Sequence, residues 1–287
     1  MKYPNVKSFT SAVKSKPLKG PIAFIFAEDD VELESTIAHH LKLRFKQVVV
    51  IGDELVSVPD HMSDQVIHIT SALPANGEIH HLMNQMIKAI PDQWMYYCYN
   101  AEYLHFPFCE TRSVGEMIGF NVEERRDTIM TYVVDLYAGD LNERPDAIDL
   151  ENVYLDKSGY YALTRKDAWN NDLDRQMDFF GGLRWRFEEH IPAKKRRIDR
   201  VSIFKSKPDL TLNADFTFSD PEYNTISCQW HHSISAAVCS FRTAKALKRN
   251  PGSTFDISTF WWHNSQKFDW NSQQLMDLGL MEPGQWF

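Results

Sequence analysis

IAFIFAEDDVELESTIAHHLKLRFKQVVVI, residues 22–51, is the stretch that decides the fold. Ile22 to Phe26 are all apolar, the composition of a strand buried on both faces, as a parallel sheet requires. Glu28, Asp29 and Asp30 follow at its carboxyl end. Asp29 with Glu32 has the spacing of a helix N-terminal cap, and Leu33, Ile37 and Leu41 then recur at helical spacing through Leu43. Gln47 to Ile51 is a second strand, rich in β-branched residues. Strand, helix, strand makes a βαβ unit, whose crossover sets the two strands parallel in one sheet.

The same alternation continues outward. Gln65 to Ile69 reads as a short strand, and Ile79, Leu82, Met83, Met86 and Ile90 mark one face of a helix. Trp94 to Tyr99 is a further strand, Ser113 with Glu116 opens a short helix through Ile118, and Ile129 to Leu136 is another buried strand. The expected fold is therefore α/β, a doubly wound, mainly parallel sheet of the Rossmann kind with a loop- and helix-rich C-terminal extension. From Tyr137 to Asp178 no clean period survives, which predicts long loops. Val201 to Phe204 reads as a strand and Ala236 to Lys248 as a helix with Ala237, Val238, Phe241 and Ala244 inward. Four tryptophans, Trp261, Trp262, Trp270 and Trp286, predict that the tail 251–287 packs on the domain.

Composition narrows the function. A net charge of −8 and a pI near 5.8 argue against a nucleic-acid partner, whose binding draws on clustered Lys and Arg. A small anionic ligand needs only a local basic patch. Cys98, Cys109, Cys228 and Cys239 form no CxxC pair, so neither a zinc site nor a disulfide scaffold is expected, and a reducing, cytoplasmic setting fits. Lys2, Lys7, Lys14, Lys16 and Lys19 make residues 1–20 a basic flexible arm, solvated or touching an anionic membrane surface, with no apolar block behind it for a signal peptide. No stretch is long and apolar enough to span a bilayer.

Ligands of open α/β sheets bind beyond the carboxyl ends of the strands. Two polar clusters fall there, Glu28, Asp29 and Asp30 after one strand and Asn100, Ala101 and Glu102 after another. Carboxylates at such a place can hold a divalent cation that neutralises a diphosphate, or can simply cap a helix. Gly181 and Gly182 with Arg184 and Arg186 can bring backbone and guanidinium groups onto a diphosphate, or form a tight turn before a solvated strand. Lys194, Lys195, Arg196 and Arg197 read as a solvated charge run or a phosphate patch. Asp135 ends an apolar strand as a hydrogen-bonded structural carboxylate or a base. Of the adjacent His231 and His232, which cannot share a face, His232 is the candidate ligand. Tyr96, Tyr97, Tyr99 and Tyr103 can stack on a base or sugar or turn into the core.

The segment WMYYCYNAEYLHFPFCE, Trp94 to Glu110, resembles the part of family 2-type glycosyltransferases that reads W, a few apolar residues, DADEF, then L, a Pro and a Cys-Glu pair. Asn100 and Glu102 stand at or beside the acidic DxD places, with one Asp replaced by Asn and the Asp-Glu pair reduced to Glu102 and Tyr103. Ala27 to Phe45 is similar to the family's NE…EW…HH opening, Asp135-Leu136-Tyr137 to its DMY element, Gly181 to Arg186 to its GG-x-R-x-R element, and His231–His232 to its late His. The likeness is ordered and covers roughly residues 21–240. It implies a GT-A type fold, with 21–140 the nucleotide-sugar-binding half and 141–250 the acceptor half. It also implies transfer of a sugar from a nucleotide-diphosphate donor to an unknown acceptor. In that reading Glu102, with Asn100 and His232, holds Mg²⁺ or Mn²⁺. Glu28 or Asp29 contacts the base or ribose, Arg184 and Arg186 add positive charge, and Asp135 is the base. The weakened acidic motif motivates a second expectation, a non-catalytic relative that binds a nucleotide sugar or glycan.

Overall fold

The computed structural model describes residues 1–74 and 78–286. Its strands and helices run β1 (Lys2–Tyr3), α1 (Val6–Ser15), β2 (Ile22–Phe26), α2 (Leu33–Lys42), β3 (Gln47–Gly52), β4 (Ile67–Thr70), α3 (His80–Ala89), β5 (Trp94–Tyr99), β6 (Glu102–His105) and α4 (Val114–Glu123). They continue as β7 (Thr128–Ala138), β8 (Val153–Asp156), β9 (Tyr161–Lys166), β10 (Asp172–Phe180), α5 (Leu183–Arg186), β11 (Asp199–Lys205), β12 (Ser235–Ser240), α6 (Arg242–Arg249), β13 (Ser265–Lys267) and α7 (Ser272–Asp277). The chain divides into two units. One comprises Met1–Tyr103, Thr111–Met130 and Val201–Asn224, the other Leu104–Glu110, Thr131–Arg200 and Thr225–Phe287. Each draws on separate stretches of chain, so neither coincides with the predicted halves 21–140 and 141–250.

In the first unit the strands lie in the order β1-β4-β3-β2-β5-β11. All pairings up to β5 are parallel, and β11 follows antiparallel to β5. Every residue of β2 is fully buried, which is why its sequence shows no alternation. The expected α/β, mainly parallel sheet is thus present. Its order reverses at β2, with β3 and β4 on one side and β5 on the other, so the carboxyl ends of β2 and β5 flank a topological switch point.

The lysine-rich start is not a free arm. β1 pairs parallel with β4, and Asn5 caps α1 by accepting the Ser8 N–H at 2.8 Å. Val6, Phe9 and Val13 bury one face of α1, which packs on α3 and β4. The lysines occupy its other face, which hid the amphipathic period beneath a basic composition. The capping box at Ser113 and Glu116 forms as the spacing predicts, and α4 runs on to Glu123. The cap expected from Asp29 does not: α2 starts from Glu32 in a left-handed conformation, φ 53°, without a side-chain cap.

In the second unit β7, β12 and β6 are neighbours, and β8 pairs antiparallel with both β7 and β13. The predicted loops between 137 and 178 instead contain β8 and a two-stranded antiparallel hairpin, β9 with β10. Their sequences lack an apolar period because charge holds them. Arg165 on β9 reaches Asp178 on β10 at 2.8 Å and Asp199 at 3.0 Å. Arg197 joins the same two carboxylates and Arg196 bonds Glu188, so neither belongs to a solvated run. The helix predicted from Ala236 begins only at Arg242, because Ser235–Ser240 is a strand buried along its whole length. A short apolar run satisfies either period, and burial on both faces selects the strand. In the tail, Phe260 and Ile257 join a core with Tyr137, Leu183 and Leu247, and Trp286 packs on Phe106 and Phe108.

Replacing Phe9, which is fully buried against Tyr3, with Ala is expected to lower stability by about 3 kcal/mol, read as an earlier denaturant midpoint. An unchanged midpoint would show that α1 is not docked.

Candidate functional site

At the switch point of the first unit, Phe26 and Tyr99 end their strands side by side, and the two polar clusters follow them. Asn100 joins the clusters. Its Oδ1 accepts the Glu28 N–H at 2.9 Å, while its Nδ2 donates to Asp29 Oδ1 at 2.6 Å and to the Val31 carbonyl at 2.9 Å. Asn100 is fully buried, Asp29 is half-buried, and Glu28 and Asp30 are exposed. Asp29 Oδ1 also accepts the Val31 N–H, so this carboxylate shapes the loop and does not cap α2. The edge therefore presents acidic groups outward from a rigid polar clasp.

Glu102 turns the other way. It is 1 % exposed, and its Oε2 accepts the Tyr99 N–H at 2.9 Å. The preceding Ala101 takes φ 59°, and its N–H donates to the Thr36 hydroxyl, so the turn after β5 closes on protein partners. Tyr96, Tyr97, Tyr99 and Tyr103 are all buried; none is a stacking surface. The expected cation site does not fit these residues. Asn100 is engaged through both ends of its amide and Glu102 is buried on backbone. His232 is an exposed loop residue whose carbonyl accepts from the His231 ring. Among the described residues, no three His, Cys, Asp or Glu side chains are grouped to hold a metal ion. The Cys-Glu end of the segment is structural as well. Glu110 accepts the Ser272 N–H at 2.6 Å and its hydroxyl at 2.7 Å, fixing the start of α7. Burial pushes the Cys109 thiol up to about 12, which rules out a thiolate nucleophile there at neutral pH.

The second unit brings together three elements that are far apart in sequence. Gly182, at φ 61°, lies over Asp135 so closely that a Cβ would stand 3.0 Å from Asp135 Oδ2; at Gly181 a Cβ would come 2.2 Å from the Tyr160 ring. Only glycines allow this approach. Asp135 is enclosed, neither of its oxygens has a hydrogen bond of good geometry, and Arg184 Nε stands 3.5 Å from Oδ1. Arg184 itself donates to the Thr243 hydroxyl and the Arg197 carbonyl. Asp156, which sequence reading missed, is the better-satisfied acid. It accepts from Tyr137 at 2.5 Å, Trp262 at 2.7 Å and Arg186 at 3.1 Å. Arg186 also lies over the Trp262 ring at 4.5 Å. The local signal for Asp156 was there, an apolar strand ending in Asp as at Asp135, but it sat in a stretch read as loop.

No protein-family model matches the sequence, and no curated protein does. Among solved structures, S. aureus TarS 1–349 in complex with UDP matches at 11 % identity and a TM-score of 0.33, over 72 % of this chain and 53 % of that one. A second structure of TarS 1–349 matches at 13 % and 0.32, over 77 % and 58 %. The chain thus spans little more than half the length of the solved chains it matches. At this level of likeness no residue role carries across. No helix among the described residues is long and apolar enough to cross a membrane.

Asn100→Asp removes two donated hydrogen bonds and sets a second carboxylate against Asp29. A stability loss of roughly 2–3 kcal/mol is expected, with no Mn²⁺-dependent rise in Tm. Such a rise would show that the edge accepts a cation after all. Asp135 gives a second expectation. Burial outweighs the pull of Arg184 and Thr243 and holds its carboxyl above the ordinary 3.8. A raised folded-state pKa favours folding in the protonated form, an advantage present below the unfolded value and lost as pH rises through the folded one. Asp135→Asn should therefore gain Tm relative to the natural chain as pH is raised from about 4. A difference that stays constant above about pH 4 would show that the folded chain does not hold this carboxyl above its unfolded value.

Proposed function

We propose that this chain is a glycosyltransferase-type protein that receives a nucleotide-diphosphate sugar at the carboxyl edge of the first unit's sheet, without a resident divalent cation. The observation that carries the reading is the Asn100 clasp at the switch point. It gives a rigid ligand-binding edge in the place where open α/β sheets bind nucleotides, with Glu28 exposed beside it. Glu28 and Asp29 are the groups for the base or ribose hydroxyls, which a carboxylate accepts from directly. Sugar transfer passes through an oxocarbenium-like state with negative charge growing on the leaving diphosphate. Without a cation that charge falls to guanidinium groups. Asp135, with its raised pKa, is the group proposed to take the proton of an acceptor hydroxyl.

One observation favours a second reading. Both residues at the degenerate acidic motif, Asn100 and Glu102, are engaged by the protein itself, as in a relative that binds a nucleotide sugar or glycan without turning it over. Titration calorimetry with UDP-glucose, UDP-N-acetylglucosamine and GDP-mannose, each with Mn²⁺ or with EDTA, separates the two when paired with a donor-hydrolysis assay. Binding that is equal in Mn²⁺ and EDTA is expected, weakened about tenfold by Glu28→Ala. Slow hydrolysis alongside it supports the enzyme; binding with none supports the binding protein. Absence of binding to every sugar nucleotide overturns both and leaves a protein-interaction role.

A further inference from the structure

The hairpin of the second unit leaves one strand edge bare. β10 is taken on both sides: it pairs with β9, the Phe179 carbonyl accepts the Ile198 N–H at 2.9 Å, and the Phe179 N–H donates to Asp199 Oδ1 at 2.7 Å. β9 pairs with β10 alone, and among the described residues no other backbone hydrogen bond reaches Tyr161–Lys166. The side chains on that edge are open to solvent. Leu163 is 56 % and Tyr161 45 % exposed, and Thr164 and Lys166 are exposed as well. Free edges are usually blunted by a proline, a bulge or a short strand. Here the register shift lies on β10 between Asp172 and Met177, where Arg175 takes φ 53°, while β9 has six residues and no proline. Its unpaired N–H and C=O groups are thus a regular template for one more strand.

We propose that β9 pairs antiparallel with β9 of a second copy of this chain, joining two hairpins into one continuous sheet across a two-fold axis at Leu163. The proposal goes beyond the glycosyltransferase-type reading and does not depend on it. The strand's own sequence selects this occupant. A two-fold axis perpendicular to a sheet keeps every side chain on its face, so a residue lies opposite itself or one an even number of positions away. With the axis at Leu163, that residue meets Leu163 of the partner subunit, Tyr161 meets Arg165 of the partner subunit, and Ala162 meets Thr164 of the partner subunit. Apolar faces apolar and aromatic faces guanidinium, while the cations of the two strands fall at opposite ends. With the axis at Thr164, Leu163 would face a guanidinium and Ala162 an ammonium group. The pairing also leaves no charge buried alone. Arg165 is already bonded to Asp178 and Asp199, and Lys166 is joined to Asp172. An isologous contact of this kind closes at two copies.

The test follows the full chain by sedimentation velocity from about 1 to 100 μM. A monomer–dimer equilibrium is expected. Leu163→Lys, which sets two ammonium groups face to face at the axis, is expected to raise its dissociation constant at least about tenfold. Because Leu163 is exposed, the variant should keep the Tm of the natural chain under conditions where both are monomeric. Leu163→Cys locates the axis. Two thiols directly opposite on neighbouring strands come within reach of a disulfide, formed with dissolved oxygen as the oxidant, whereas Thr164→Cys sets them a diagonal apart. A crosslinked dimer is expected from Leu163→Cys and neither from Thr164→Cys nor from the natural chain. The proposal is overturned by a chain that stays monomeric at about 100 μM, by a dimer undiminished in Leu163→Lys, or by a crosslink no better from Leu163→Cys than from Thr164→Cys.

Discussion

Everything at the carboxyl edge of the parallel strands depends on one buried amide. Asn100 donates to Asp29 and to the Val31 carbonyl and accepts from the Glu28 N–H, so a single side chain holds the loops after β2 and β5 together. An aspartate in its place could accept from Glu28 but could not donate to Asp29 or Val31. The amide is therefore a structural requirement of these two loops. With the clasp made, Glu102 needs no ligand: its carboxylate satisfies the Tyr99 N–H at the end of β5.

The second unit solves a harder electrostatic problem. Asp135 and Asp156 are both enclosed, and burying two like charges without compensation is costly. Asp156 is compensated by Tyr137, Trp262 and Arg186. Asp135 has Arg184 at 3.5 Å but no hydrogen bond of good geometry, and burial holds its carboxyl above the usual range. Two acids of one kind are thus set apart by the partners the packed chain gives each of them. Gly181 and Gly182 make this arrangement possible by removing the side chains that would separate Tyr160 and Asp135 from the backbone.

Where the signal is local in sequence, the architecture was legible. β2, β3, β5 and the capping box of α4 lie where their patterns place them, because a fully apolar strand and a Ser-x-x-Glu pair are local signals. α1 and the β9–β10 hairpin were not legible for one shared reason: charge masked the period. In α1 the lysines sit on the solvent face of a helix with a buried stripe, and in the hairpin arginine–aspartate pairs replace apolar cross-strand contacts. β12 failed for the opposite reason, since six small or apolar residues carry no period at all.

The candidate site divides along the same line. From the amino acids alone follow the parallel sheet, the polar clusters at its strand ends and the grouping of Gly181, Gly182, Arg184 and Arg186, because these depend on neighbours in sequence. Which way each side chain turns, and with whom it pairs, was decided only by tertiary structure. Glu102 is turned inward by a backbone N–H, Asn100 is claimed by residues about seventy positions away, and Asp156 is joined to a tryptophan more than a hundred positions on. Burial sets the value of a polar group, and burial is a property of the packed chain.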